Sequence, residues 1–277
     1  MSTPHSALRT SHSFLMCRPT YYTIAYEINP WMNLKRQANP TRALAQWNRL
    51  YHVLTRTLRA HVQLLSPRPD VPDLTFTANA GLAVGRTVIR SNFRYRERQP
   101  EEPIVEAYFN RRGYRVVRLP RRYRFEGEGD ALWLGDTLLF GFRFRSDAPT
   151  HEVLARFLGV RVLPVELVDS RFYHLDTCFC PLDAGRALWF PKAFDRYGRK
   201  VIENLVEDLI SVSEADATRF ACNTIPIGRT VVMQAGSSSR LQKQLARRGF
   251  ELYAVELSEF LKAGGAAKCL VLRLNQP

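Results

Sequence analysis

The chain has 277 residues, 45% of them hydrophobic and 24% charged, which excludes disordered, collagenous and disulfide-rich classes. Forty basic residues against 26 acidic ones give a net charge of +14. Only six of the forty are lysines, however, and the arginines are spread along the chain without a nucleic-acid-binding signature, so no nucleic-acid partner is expected.

No apolar run reaches the roughly 18–20 residues of a membrane helix, so no membrane partner is expected. Residues 1–13 lack the apolar core of a signal peptide and read as an N-terminal tail. Five cysteines make an odd number with no framework spacing, which predicts reduced thiols and a cytoplasmic location. Residues 14–277 read as one catalytic domain.

In chain order, an apolar stretch over residues 14–28 comes first. Asn39-Pro40 then predicts a helix start, with asparagine as the cap and proline in the first turn. Leu44, Trp47, Leu50, Tyr51, Leu54 and Leu58 give that helix one apolar face. Four β-hairpins follow, over residues 82–89, 132–139, 181–189 and 225–232, each with a glycine in its turn. Gly85, Gly135, Gly185 and Gly228 recur at intervals of 50, 50 and 43 residues. Helices after the hairpins end at Gly113, Gly159 and Gly249, suited to left-handed caps, and each leads into an apolar strand. The unit after the third hairpin is less regular: residues 201–210 are expected to be helical and 211–213 extended.

The repeating unit is therefore hairpin, helix, strand, and four units are complete. A fifth is assembled from a C-terminal strand over residues 269–274, the stretch 14–28 and the first helix. Such units bury their apolar faces only by packing on one another. The expected fold is an α/β propeller of five modules with pseudo-fivefold symmetry. An open doubly wound sheet is the alternative, and the antiparallel hairpins argue against it.

Polar residues just ahead of each hairpin would face the common axis. They are Asp73 and Asn79, Glu126 and Asp130, His174 and Asp176, Cys222 and Asn223, and Cys269 in the closing unit. A thiol, a histidine and carboxylates at one centre point to covalent catalysis by cysteine. His174 and Asp176, two apart on a predicted strand, would share one face. His174 with Cys178 and Cys180 lacks a fourth ligand at recognisable spacing, so no metal is expected and these thiols read as structural, as do Cys17 and Cys222. Cys269 differs because it follows the small-residue loop Gly264-Gly265-Ala266-Ala267, and Lys268 and Lys262 would favour its thiolate.

The ordered set Met16-Cys17-Arg18-Pro19, Ile28-Asn29-Pro30-Trp31-Met32, Phe76-Thr77-Ala78-Asn79-Ala80-Gly81, Phe125-Glu126-Gly127-Glu128-Gly129-Asp130, His174-Leu175-Asp176 and Gly264-Gly265-Ala266-Ala267-Lys268-Cys269 resembles the guanidino-group-modifying enzymes of the pentein superfamily. That group includes arginine deiminases, dimethylarginine dimethylaminohydrolases, amidinotransferases and arginine dihydrolases. The resemblance implies Cys269 as nucleophile, His174 as general acid and base, and Glu126 as the residue orienting it. It implies Asp176 as a guanidinium ligand, Asp73 as the α-amino ligand, and Arg98 and Arg145 as α-carboxylate ligands. It also makes residues 29–32 a cover over the substrate. Asp130 and Asn223 receive no step.

One position departs from most of the superfamily. Deiminases and dimethylarginine hydrolases usually carry aspartate where Asn79 stands, whereas arginine dihydrolases carry asparagine. Asparagine accepts from a guanidinium N–H and donates to a ureido oxygen, so citrulline would stay bound for a second attack. The resemblance thus implies hydrolysis of arginine to ornithine, CO2 and two NH3. A one-round hydrolase releasing citrulline is the same-class alternative, and a noncatalytic basic binding protein is the remote one. No cofactor is expected, because thiol, imidazole and water suffice. The sequence leaves the oligomeric state open.

Overall fold

The structure, a computed structural model, describes residues 12–276, so the expected tail lies outside the described residues except for His12 and Ser13. Ser13 already belongs to the first strand, β1 (Ser13–Cys17). Helix α1 (Pro40–His52) begins where Asn39 accepts a hydrogen bond from the Arg42 N–H and Pro40 occupies the first turn. It continues into a π-helical turn, Val53–Thr57, before strand β2 (His61–Leu65). Trp47, Leu50 and Leu54 are fully buried as the periodicity predicts, whereas Leu44 at the edge of that face is exposed.

Four hairpin units follow the expected order. The first is β3 (Gly81–Val84), β4 (Thr87–Arg90), α2 (Glu101–Arg111) and β5 (Arg115–Arg118). The second is β6 (Ala131–Leu134), β7 (Thr137–Phe142), α3 (Thr150–Leu158) and β8 (Arg161–Glu166). The third is β9 (Phe179–Pro181), β10 (Arg186–Trp189), α4 (Arg196–Leu205) and β11 (Asp208–Ser211). After a short helix α5 (Glu214–Thr218), the fourth is β12 (Ile225–Ile227), β13 (Thr230–Gln234), α6 (Ser239–Arg247) and β14 (Glu251–Val255). Helix α7 (Ser258–Leu261) and β15 (Leu272–Arg273) complete the described chain.

Every unit forms its own three-stranded sheet, with one antiparallel and one parallel pairing around the middle strand. The fifth sheet joins the two ends of the chain. β1 lies antiparallel to β15, with Phe14 opposite Arg273, and parallel to β2. This is the expected five-module α/β propeller. Apolar side chains pack between neighbouring modules, as where Leu132 and Leu139 of the second meet Phe179, Leu188 and Trp189 of the third.

Four local expectations are corrected. In the third unit the helix spans Arg196–Leu205 rather than residues 201–210. Asp195 caps it by accepting from the Tyr197 and Gly198 N–H groups, and Val206 is already extended. Leu209 and Ile210 are thereby freed to pair as β11 beside β10. His174 and Asp176 do not lie on a strand; they flank and enter a 3-10 turn, Leu175–Thr177. Cys269 likewise sits in a 3-10 turn, Lys268–Leu270, ahead of a shorter final strand. Gly85, Gly135 and Gly228 have the positive φ predicted for tight turns, but Gly185 does not. In that wider turn the Asp183 carboxylate accepts the Gly185 N–H instead.

Candidate active site

The five modules place their chemistry at equivalent points. Asp73 and Asn79 lie in 3-10 turns ahead of β3, and Glu126 immediately precedes the turn ahead of β6. His174 and Asp176 precede β9, Asn223 precedes β12 and Cys269 precedes β15. Arg98 and Arg145 come from the segments after β4 and β7. None of the eight expected site residues is more than 3% exposed, Arg98 and Arg145 included.

Close approach at the axis requires glycine at two places. A Cβ on Gly127, which has φ +61°, would stand 2.6 Å from the Gly81 carbonyl oxygen. A Cβ on Gly129 would overlap the Asn79 amide and lie 3.1 Å from the His174 ring.

The thiol of Cys269 is held by two neighbours. Asn223 Nδ2 donates to Sγ at 3.1 Å, and Sγ lies 3.5 Å from Asp176 Oδ2, to which the thiol donates. Asn223 Oδ1 in turn accepts the backbone N–H groups of Cys269 and Ala266, both at 3.1 Å. Burial, reinforced by the Asp176 charge, pushes the Cys269 thiol well above its usual range, while Asn223 and Lys268 act in the opposite sense. Lys268 pairs with Glu128 at 2.6 Å. Lys262 plays no such part, because its ammonium pairs with Glu259 and donates to the Gln37 carbonyl.

A second chain of contacts orients the imidazole. His174 Nε2 lies 2.8 Å from Glu126 Oε2, and Arg145 Nη1 donates to the same oxygen at 3.1 Å. Burial opposes ionisation of Glu126, but Arg145 and His174 outweigh it and hold the carboxyl well below the usual carboxylate range. Burial lowers His174 to about 4 despite Glu126, so the resting imidazole is neutral. Asp176 is pushed up to about 7 by burial, with Lys268 opposing. Asp73 is also raised by burial, partly offset by Arg98.

Arg98 faces inward. Its Nε and Nη2 donate to Glu101 at 2.7 and 2.8 Å, Nη1 donates to Asn79 Oδ1 at 2.7 Å, and Nη2 also reaches the Asp73 carbonyl at 3.3 Å. Arg145 spends one nitrogen on Glu126 and one on the Ile28 carbonyl, and its guanidinium lies between the rings of Tyr95 and Tyr173.

Among the described residues, Asn79 Nδ2, His174 Nδ1 and Asp176 Oδ1 are buried without a hydrogen-bond partner. Each such group costs about 1–3 kcal/mol, so three in one cluster mark a place built for a ligand. Asn79 lines a small cavity of about 10 Å³ together with Asp73, Arg98, Arg145, Tyr173 and Cys269, and Asp176 and His174 stand behind that wall, Asp176 against the Cys269 thiol and His174 on the Glu126 oxygen that it shares with Arg145. Ile28, Asn29 and Met32 form its cover, tied down by Asn29 Nδ2 donating to the Ala263 carbonyl and Trp31 Nε1 donating to the Arg171 carbonyl. A larger cavity of about 330 Å³ shares none of these lining residues and is mostly apolar along Phe14, Trp133, Phe179 and Ile225. The chemistry belongs to the smaller one.

Among the described residues, no group of three or more His, Cys, Asp or Glu side chains is placed to hold a metal ion, and no helix is long and apolar enough to cross a membrane. Cys17, Cys178, Cys180 and Cys222 are buried free thiols. Two residues at the site escaped the sequence reading. Asn223 was visible only as a polar residue at the repeat position before the fourth hairpin, and Glu101 gave no signal beyond its place in the first turn of a helix.

Comparison with known proteins places this geometry. Across 270 residues, 95% of this chain, the sequence is 47% identical to the bifunctional arginine dihydrolase/ornithine cyclodeaminase AgrE of Nostoc sp., of which it spans 38%. It is 35% identical over 275 residues to the N(G),N(G)-dimethylarginine dimethylaminohydrolase of Mycobacterium tuberculosis, covering 99% of this chain and 90% of that protein. The structure superposes with a TM-score of 0.92 on the crystal structure of the N-terminal domain of ArgZ, an arginine dihydrolase from the ornithine–ammonia cycle in cyanobacteria. That structure is of a cysteine-to-serine mutant bound to substrate, and the match has 43% identity over 96% of this chain and 99% of that one. The family model for eukaryotic N,N dimethylarginine dimethylhydrolase matches residues 23–276. With the family model spanning residues 23–276 and the M. tuberculosis relative 35% identical over 99% of the chain, the chain belongs to the dimethylarginine dimethylaminohydrolase family.

Proposed function

We propose that this chain is a cysteine-dependent hydrolase of the arginine guanidino group, acting as an arginine dihydrolase in the cytoplasm. The observation that carries the reading is the buried cluster in which Cys269 and Asn79 line one small cavity, Asp176 touches the Cys269 thiol and the His174 ring shares a crevice with Asn79, with an asparagine rather than a carboxylate at position 79. Its likeness to AgrE and to the ArgZ domain, each described as an arginine dihydrolase, supports the same choice. The five free thiols support a reducing compartment.

Arginine enters with its α-amino group on Asp73 and its α-carboxylate on Arg145, which retains free N–H groups, within the positive field of Arg98. The guanidinium meets Asp176, whose carboxylate orients the planar cation through charge-assisted hydrogen bonds. In the resting enzyme the thiol is protonated and His174 is neutral. The arriving cation favours the thiolate, and His174 takes the proton from Cys269. Sulfur attacks the guanidinium carbon, His174 returns the proton to the departing nitrogen, and NH3 leaves behind a covalent thiouronium. Glu126 holds the imidazolium through this step. His174 then deprotonates water, which attacks the same carbon and expels the thiolate to give citrulline. A second round consumes a second water and yields ornithine, CO2 and NH3.

Release of citrulline after one round is the second reading, favoured by the family model and by the M. tuberculosis relative. Purified protein incubated with guanidino-labelled L-arginine tests both. Ornithine with labelled CO2 is the expected result; citrulline as the sole product overturns the dihydrolase reading. Cys269→Ala is expected to cost at least about 10⁴-fold in turnover with the fold retained.

A further inference from the structure

We propose that Glu101 and Arg98 are positioning residues that lock the Asn79 amide with its N–H donor facing the reaction centre, so that the site favours a ureido oxygen and commits citrulline to the second round. This rests on the dihydrolase reading above and adds to it the device that selects the second substrate.

An arginine side chain only donates hydrogen bonds. Because Arg98 Nη1 sits 2.7 Å from the Asn79 side chain, the atom facing it must be the amide oxygen, and Nδ2 must face the other way. Arg98 cannot turn aside, since Nε and Nη2 are both engaged by the Glu101 carboxylate in a two-pronged pair buried from solvent. The Asn79 oxygen is therefore turned toward Arg98, with one of its two lone pairs taken. What the amide turns the other way is its donor, buried and without a partner among the described residues. That donor lies beside Gly129, in the same crevice as the His174 ring.

A guanidinium carries N–H groups and no acceptor, so it gains nothing from Asn79 Nδ2. An acceptor appears when the carbon becomes tetrahedral and the departing nitrogen regains its lone pair. A stronger one appears when water delivers oxygen to that carbon. The water is activated by His174, so the new oxygen arises on the side where Asn79 Nδ2 waits. The donor is thus matched to the intermediate and to citrulline rather than to arginine, which is differential binding along the reaction path.

The test compares Glu101→Gln and Glu101→Asp with wild type, using arginine and citrulline as separate substrates. Glu101→Gln is expected to lower the ratio of kcat/KM for citrulline to that for arginine at least tenfold and to let free citrulline accumulate from arginine. Glu101→Asp, which restores the charge, is expected to recover part of that ratio. Should Glu101→Gln fail to fold, Arg98→Lys is read in the same way, because a single ammonium cannot bridge Glu101 and Asn79. Equal losses on both substrates, with the ratio unchanged, would make Glu101 merely structural and overturn the inference. A wild type that releases citrulline as its sole product from arginine fails the dihydrolase reading instead, and the inference falls with it.

Discussion

Asn223 grips Cys269 from two sides at once, its amide nitrogen donating to the sulfur and its amide oxygen accepting the backbone N–H of the same residue, each at 3.1 Å. The donor strengthens as sulfur becomes anionic, so Asn223 favours the attacking form of the nucleophile. A hydrogen bond to a charged group contributes about 1.5–3 kcal/mol. Asn223→Ala is expected to lower kcat/KM for arginine about 10- to 100-fold and to move the pH midpoint of Cys269 alkylation upward. An unchanged alkylation profile would remove this role.

With its carboxyl raised to about 7 by burial, Asp176 is expected, under the proposed mechanism, to set the pH dependence of capture. Its folded value lies above its ordinary one, so it is protonated below about 7 and becomes a guanidinium ligand as the pH rises. His174, lowered to about 4, stays neutral over that interval and adds no limb of its own. kcat/KM for arginine is expected to climb between pH 6 and 8. Asp176→Asn should abolish that climb and reduce activity by on the order of 10²-fold. A wild-type profile flat across this range refutes the assignment.

Gly129→Ala tests the crowding at the axis. The added methyl would overlap the Asn79 amide and press on the His174 ring. Overpacking of this kind costs about 1–3 kcal/mol. The stability loss should be accompanied by a larger fall in citrulline turnover than in arginine binding, measured by steady-state kinetics and calorimetry.

Lys268 and Glu128 form a largely buried pair next to the nucleophile. Lys268→Met leaves Glu128 without its ammonium, which costs about 3–5 kcal/mol and lowers Tm by roughly 6–20 °C. Adding Glu128→Gln should recover most of that loss, because the stranded charge is gone. Thermal melts of the three variants decide the point.

The modular plan could be read from the chain because Gly85, Gly135 and Gly228 hold a local backbone conformation that other residues rarely adopt, and Gly185 keeps the same spacing in a wider turn. The candidate positions Asp73, Asn79, Glu126, His174, Asp176 and Cys269 followed from the same repeat, since equivalent points of a closed ring face one axis, whereas Arg98 and Arg145 and the role of each residue came from the family resemblance. What stayed hidden depends on contacts across the ring. Asn223 lies 46 residues from Cys269 in sequence, and nothing local signals that its amide fits the thiol. Arg98 read as an α-carboxylate ligand, yet Glu101 turns it toward Asn79. The third-unit helix was placed late because Leu205, Val206, Leu209 and Ile210 fit either periodicity, and the Asp195 cap with the β10 pairing decides between them.

The pairing of Phe14 with Arg273 sets the two ends of the described chain side by side in one sheet. Such a ring has no privileged starting point: what matters is which neighbour each module meets, not the order in which the modules are written. A chain joined from residue 13 to residue 274 and opened at the Asp183–Gly185 turn would keep every module and every intermodule face. Its catalytic thiol would then stand in mid-sequence rather than near one end. Arrangement of the active site around a circle thus separates the chemistry from the genetic order that encodes it.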